Sequence, residues 1–181
     1  MRSDMNRCVA LIRGINVGGN SIIRMTDLKA LFESADLKDV STYIQSGNVI
    51  FTSDIRDKSE LVRKLEALLK PAAGSRAKVL ILSKEELEKA QAGNPFEPEK
   101  HDREQKTHLM FLSDVPNEAN IRSLMEKQGL EYRFHVKDKV LYYTYPNEYA
   151  ANRRTIDFEK ILGVYGTSRS WKVVHKLIEM F

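Results

Sequence analysis

The order in which strand-length and helix-length patterns alternate constrains this chain more than any other feature. Arg7 to Arg13 is a short run rich in Val, Leu and Ile that ends at Arg13-Gly14-Ile15-Asn16-Val17-Gly18-Gly19-Asn20. Such a run reads as a buried strand. Met25 to Ser34 carries Leu28, Leu31 and Phe32 at helical spacing and reads as an amphipathic helix, with Asn20 or Thr26 as its cap. Val40 to Ile44 and Val49 to Thr52 flank Gln45-Ser46-Gly47-Asn48 as a hairpin. Lys58 to Lys70 reads as a helix closed by Pro71 and Gly74, and Lys78 to Leu82 as a strand. The resulting order, β-α-β-β-α-β, is that of a ferredoxin-like fold.

The remainder repeats this order less completely. Ser83-Lys84-Glu85-Glu86 is a capping box opening a helix to about Ala92, and Gly93 to Gln105 reads as a linker or exposed loop. Thr107 to Leu112 is a strand, Asn117 to Gln128 a helix capped by Asn117, and Tyr132 to Val136 with Val140 to Tyr145 a hairpin. Thr155 to Leu162 is helical, Gly163 to Ser168 a turn, and Ser170 to Met180 a closing helix. The expected architecture is α+β. It has two ferredoxin-like halves, the second an incomplete β-α-β-β-α, and a closing C-terminal helix. Residues 1–82 form the first half, 83–105 the helix and linker, and 106–181 the second half.

Composition excludes several classes. At 181 residues and 42% hydrophobic content the chain can bury a useful core. One cysteine, Cys8, rules out an internal disulfide, and its place in the first apolar run suits a small buried hydrophobe. No apolar stretch reaches membrane-spanning length, and the first run is too short for a signal peptide, so a cytoplasmic protein without a membrane partner is expected. A net charge of +4 permits an anionic partner without demanding one. His101, His108, His135 and His175 are scattered without a helical pair or a Cys partner, so no metal site is expected. No cofactor is implied and the oligomeric state is open.

The best candidate site is the first glycine-rich joint. Gly14 to Ser21 matches neither the P-loop nor the dinucleotide-binding spacing. Its glycines still allow close backbone approach, and the following helix offers free N–H groups to an anion. With right-handed crossovers, the first two strands point to one edge of the sheet. Arg13, Gly14, Asn16, Gly18, Gly19 and Asn20 would then meet Gln45, Ser46, Asn48 and Arg76 there. Arginine supplies a fixed fork of donors for phosphate or carboxylate, and amides orient polar edges. The plain alternative is a tight turn whose asparagines bond local backbone.

A second candidate is Gly166-Thr167-Ser168-Arg169-Ser170-Trp171, where a helix N-terminus and Arg169 would grip an anion. Its plain alternative is capping by Thr167, Ser168 or Ser170, with Trp171 as a packing anchor. Arg153, Arg154, Lys172, His175 and Lys176 make this end the most basic, and with Trp171 it would suit RNA by charge and stacking. An RNA-recognition sheet is disfavoured, because strand one lacks aromatics and strand three offers only Phe51. Asn94-Pro95-Phe96 reads as a loop with an apolar anchor, a lid or a staple.

Together, Arg13 to Gly19, Tyr43-Ile-Gln-Ser-Gly-Asn-Val49, Asn94-Pro-Phe96 and Thr167-Ser-Arg-Ser-Trp171 resemble the bacterial Domain of Unknown Function 1697 family. The resemblance runs along essentially the whole chain and implies two ferredoxin-like halves and no settled activity. The family's usual closing motif is Thr-Thr-Arg-Asn-Trp, so a role of that Asn amide does not carry over to Ser170. The family's Ser-Lys before the penultimate helix is replaced by Asn152-Arg153-Arg154, which keeps only the charge.

The leading functional expectation is a protein binding a phosphate-bearing ligand at Arg13–Asn20, its partner a nucleotide, nucleic acid or phosphorylated metabolite. The rivals are an enzyme acting on a small polar metabolite in a cleft between the halves, and a protein-interaction module. The enzyme reading lacks an obvious nucleophile or general base.

Overall fold

A computed structural model of the chain describes residues 5–16, 22–74, 76–96, 104–129, 132–149 and 156–181. It is an α+β structure with two four-stranded antiparallel sheets. The chain divides into two compact units, Met1–Leu87 with Leu177–Phe181, and Glu88–Lys176. Among the described residues no helix is long and apolar enough to cross a membrane.

The first unit runs β1 (Asn6–Arg13), α1 (Met25–Glu33), β2 (Lys38–Tyr43), β3 (Asn48–Ser53), α2 (Lys58–Ala73) and β4 (Lys78–Leu82). The strands stand in the order β2-β3-β1-β4, the ferredoxin-like arrangement. Successive β1 residues face opposite sides of the sheet. Cys8, Ala10 and Ile12 pack into the core with Leu28 and Phe32 of α1 and Leu61, Leu65 and Leu69 of α2. On the other face Val9 and Leu11 are also fully buried. Burial on both sides explains why the sequence shows an unbroken apolar run instead of alternation. Each Val, Leu, Ile or Phe side chain among them contributes about 1.5–3 kcal/mol on removal from water. Helix α2 runs past the expected stop at Pro71 to Ala73, with Gly74 at its C-cap.

The second unit contains β5 (Gln105–Leu112), α4 (Glu118–Met125), β6 (Arg133–Lys137), β7 (Val140–Pro146), α5 (Phe158–Leu162) and β8 (Gly166–Ser170). Its strand order, β6-β7-β5-β8, is the same arrangement as in the first unit. The second half is therefore complete, where the sequence suggested a missing final strand. Gly166 to Ser170 pairs antiparallel with β5, Leu109 opposite Arg169 and Phe111 opposite Thr167. Local propensity favours a turn here, but the exposed edge of β5 supplies backbone partners that override it. Met110, Leu112, Leu124, Phe134, Leu141, Tyr143 and Leu162 form the core on the helical face.

Helix α3 (Lys84–Ala92) opens on the expected capping box, Ser83 Oγ accepting from Glu86 N at 3.2 Å and Glu86 Oε2 from Ser83 N at 2.7 Å. Helix α6 (Trp171–Glu179) follows β8 directly. Ser170 Oγ accepts from Val173 N at 3.4 Å and so begins it.

Candidate functional site

The C-terminal end of β1 is where the candidate residues of the first unit meet. Leu11 pairs with Asn48 of β3, and Ile12 N donates to Gly47 O at 2.7 Å. On the other side Arg13 pairs with Lys78 of β4. Gly14 lies so close to the approach to β4 that a Cβ there would stand 2.7 Å from Arg76 O. One edge of the sheet thus gathers Arg13, Gly14, Asn16, the 44–47 turn and Arg76. Gly18, Gly19 and Asn20 lie outside the described residues.

Asn16 fastens this edge. Its Nδ2 donates to Ile23 O at 3.1 Å and to Gln45 O at 2.9 Å, while its Oδ1 accepts from Ile23 N at 2.8 Å. All of its amide capacity on the donor side is therefore committed to holding the hairpin turn against the start of α1. Asn48, fully buried, acts likewise, donating to Tyr43 O at 2.9 Å and Ser46 Oγ at 2.8 Å. Both asparagines shape the edge through bonds to backbone and to the Ser46 hydroxyl, beside the exposed side chains of Arg76 and Gln45.

The loop segments that meet here carry one sign of charge, while Asp27 stands in the first turn of α1 and Glu66 reaches Lys78 and Val79 N on the neighbouring strand. The segments 13–24, 43–48 and 74–77 contain Arg13, Arg24 and Arg76 and no Asp or Glu. Arg24 and Arg76 are exposed and have no ion pair among the described residues. Neighbouring Lys78, by contrast, is held by Glu66 at 3.2 Å. Helix α1 also begins here, and Arg24 in its cap position makes no side-chain cap bond. Asp57, Asn117 and Asp157 cap α2, α4 and α5. Thr26 lies inside α1 with its hydroxyl on Asp27 at 3.4 Å, so it is not the expected cap. Arg24 was missed by sequence reasoning. The signal was its place at the far end of an acid-free stretch that starts at Arg13.

Two exposed isoleucines flank the same place, Ile22 at 74% and Ile44 at 45% of full exposure. Ile44 has φ 48°, in the left-handed region that a β-branched residue seldom adopts. Their neighbours Ile23 and Gln45 are the two residues joined by Asn16.

The second candidate is built differently from the expectation. Thr167 and Arg169 lie on β8 and not at a helix start. Arg169 is 6% exposed, its Nη1 donating to Thr167 Oγ1 at 2.7 Å and Ser168 O at 2.8 Å. Burial lowers the guanidinium pKa from 12.5 to about 10, which still leaves it charged at neutral pH. Trp171, the first residue of α6, is half-buried. Arg153 and Arg154 lie outside the described residues. Asn94 and Phe96 bond each other's polar atoms at 3.2 Å, and the Arg133 guanidinium stands 5.0 Å from the centre of the Phe96 ring. Among the described residues no three of His, Cys, Asp and Glu gather as a metal site requires.

No curated protein matches the chain. Among solved structures it is similar to a conserved bacterial protein from Streptococcus pneumoniae, with a TM-score of 0.72 and 25% identity, over 97% of this chain and 98% of that one. The model of a family described as "Protein of unknown function (DUF1697)" matches residues 5–142, which include the glycine joint, the hairpin turn and Asn94–Phe96 but not Thr167–Trp171. With well over half of its length matched, the chain belongs to the DUF1697 family.

Proposed function

We propose that the protein binds a phosphate-bearing ligand at the β1 edge, with Arg13, Arg24 and Arg76 as its charge partners. The observation that carries this reading is three arginines on loop segments drawn together by Asn16 and Gly14, with no acidic residue within those segments. Exposed cations such as Arg24 and Arg76 raise the local concentration of anions and favour their docking. The uncapped start of α1 adds backbone donors of the same polarity. The edge segments hold no His, Cys, Asp or Glu, so the reading is binding and not acid–base or thiol chemistry. A small ligand is favoured over nucleic acid. Phe51, the aromatic residue on β3, is fully buried and packs edge-on against Phe32 at 5.6 Å, so it offers no base-stacking platform.

Calorimetric titration of the whole protein with inorganic triphosphate tests this. Arg24→Gln and Arg76→Gln remove exposed, unpaired side chains and should leave the fold intact. Each lost charge-assisted hydrogen bond is worth about 1.5–3 kcal/mol, so each variant should weaken binding roughly tenfold or more. Equal affinity in the wild type and both variants would remove the proposal.

A further inference from the structure

We infer that the ligand of the β1 edge is a nucleoside phosphate, its base lying against Ile22 and Ile44 and its phosphates against the arginines. This rests on the anion-binding reading above and names the ligand class. A singly exposed isoleucine is ordinary on a protein surface. Here two of the four exposed large hydrophobic residues in the described structure stand on either side of one asparagine bridge. One of them, Ile44, occupies a backbone conformation (φ 48°) that Gly or Asn would adopt with less strain. The conformation is imposed from both sides, by the Asn48 bond to Tyr43 O and the Asn16 bond to Gln45 O.

The chemistry beside the isoleucines is equally particular. Gln45 is exposed, and its side-chain amide has no partner among the described residues. An amide with a free donor and acceptor can read the polar edge of a heterocycle, while a branched aliphatic pair supplies a flat apolar contact. Arg24 and Arg76 then lie on the charged side of the same ligand. Apolar face, polar edge and polyanion occur together in a nucleoside phosphate, and a sugar phosphate lacks the first. A lipid surface fits less well. Gln45 and Ser46 are exposed beside Ile44, and inserting this tip would strip their polar groups of water.

Calorimetric titration of the full chain with ATP, CTP and inorganic triphosphate decides the matter, together with Ile44→Asn and Ile22→Ser. The expected result is that at least one nucleoside triphosphate binds roughly tenfold tighter than inorganic triphosphate, from the apolar contact. Ile44→Asn should reduce that preference to about twofold or less, with inorganic triphosphate affinity unchanged and thermal stability equal or higher, since strain is relieved. Ile22→Ser should act in the same direction. Binding of inorganic triphosphate without any preference for a nucleoside overturns this inference alone. A preference that survives both substitutions also overturns it, as does tighter binding to phosphatidylglycerol vesicles that both substitutions abolish. Absence of any triphosphate binding overturns the anion-binding reading with it.

Discussion

Replacing Asn16 by alanine tests whether one side chain assembles the β1 edge. The substitution deletes two donated bonds, to Ile23 O at 3.1 Å and Gln45 O at 2.9 Å, and one accepted bond from Ile23 N at 2.8 Å. A net contribution of about 1 kcal/mol per bond sets the main part of the loss. Asn16 also sits at φ 56°, where alanine is less at ease than asparagine by about 1 kcal/mol. The site is half-buried, so water can satisfy part of what is uncovered, and the expected destabilisation is about 3 kcal/mol. Against typical stabilities of about 5–15 kcal/mol this is a large fraction. Asn16→Asp keeps the acceptor for Ile23 N but sets a carboxylate oxygen against the Ile23 and Gln45 carbonyls, so it should lose as much as alanine, about 3 kcal/mol, and its charge weakens anion binding. Urea unfolding of the whole chain gives the magnitude, and amide hydrogen exchange at Ile23 gives the location. A stability unchanged to within about 0.5 kcal/mol, with Ile23 still protected, would show that Asn16 does not hold the edge together.

Further predictions concern the turn and the second sheet. Gly47→Ala places a Cβ 2.9 Å from both Ile12 O and Ile15 Cδ1 at φ 75°. Thermal unfolding should register a loss of about 2–4 kcal/mol from clash and strain combined. Tyr142, buried with its hydroxyl donating to Ala90 O at 2.8 Å, has its pKa pushed from 10.0 to about 12 by burial and, secondarily, by Asp138. The folded form keeps its proton where the unfolded chain has lost it. The stability this contributes is full below pH 10 and is lost as pH rises from 10 towards 12. Ultraviolet titration should show Tyr142 ionising late. Tyr142→Phe should remove one tyrosine's worth of the absorbance change near pH 12 and cost about 1 kcal/mol at neutral pH. A full set of tyrosines ionising together near their ordinary value in the folded protein would contradict it.

Much of the fold is legible because local signals and packing agree. The run from Cys8 to Ile12 is apolar at every position because both faces of β1 are buried. Ser83 with Glu86, and Asn117 with Asn120 N, make the bonds their spacing implies. Element order also anticipates that Gly14 and Asn16 lie beside the hairpin turn and the approach to β4. Strand β8 was illegible for a definite reason. Gly-Thr-Ser-Arg-Ser has no apolar alternation, and its strand character comes from the ladder offered by β5. Its hydroxyls and arginine imitate a helix start, and only the register shows Thr167 and Arg169 on a buried face. At the candidate site the sequence named the asparagines but could not tell scaffold from contact. Asn16 and Asn48 bond the backbone, a fact that depends on where Ile23, Tyr43 and Gln45 come to lie. Ile44 was read as the end of a strand, and its strained conformation follows from the four-residue turn between Tyr43 and Asn48.

Whether the arginines of the β1 edge bind an anion is decided by a backbone amide NMR titration of the whole protein with inorganic triphosphate. Saturable shifts should be largest at Gly14, Asn16, Ile23, Arg24, the 44–47 turn and Arg76, and sharply reduced in Arg24→Gln combined with Arg76→Gln. Shifts that do not saturate, or that centre on Arg169 and the second sheet while the β1 edge stays silent, would contradict such binding.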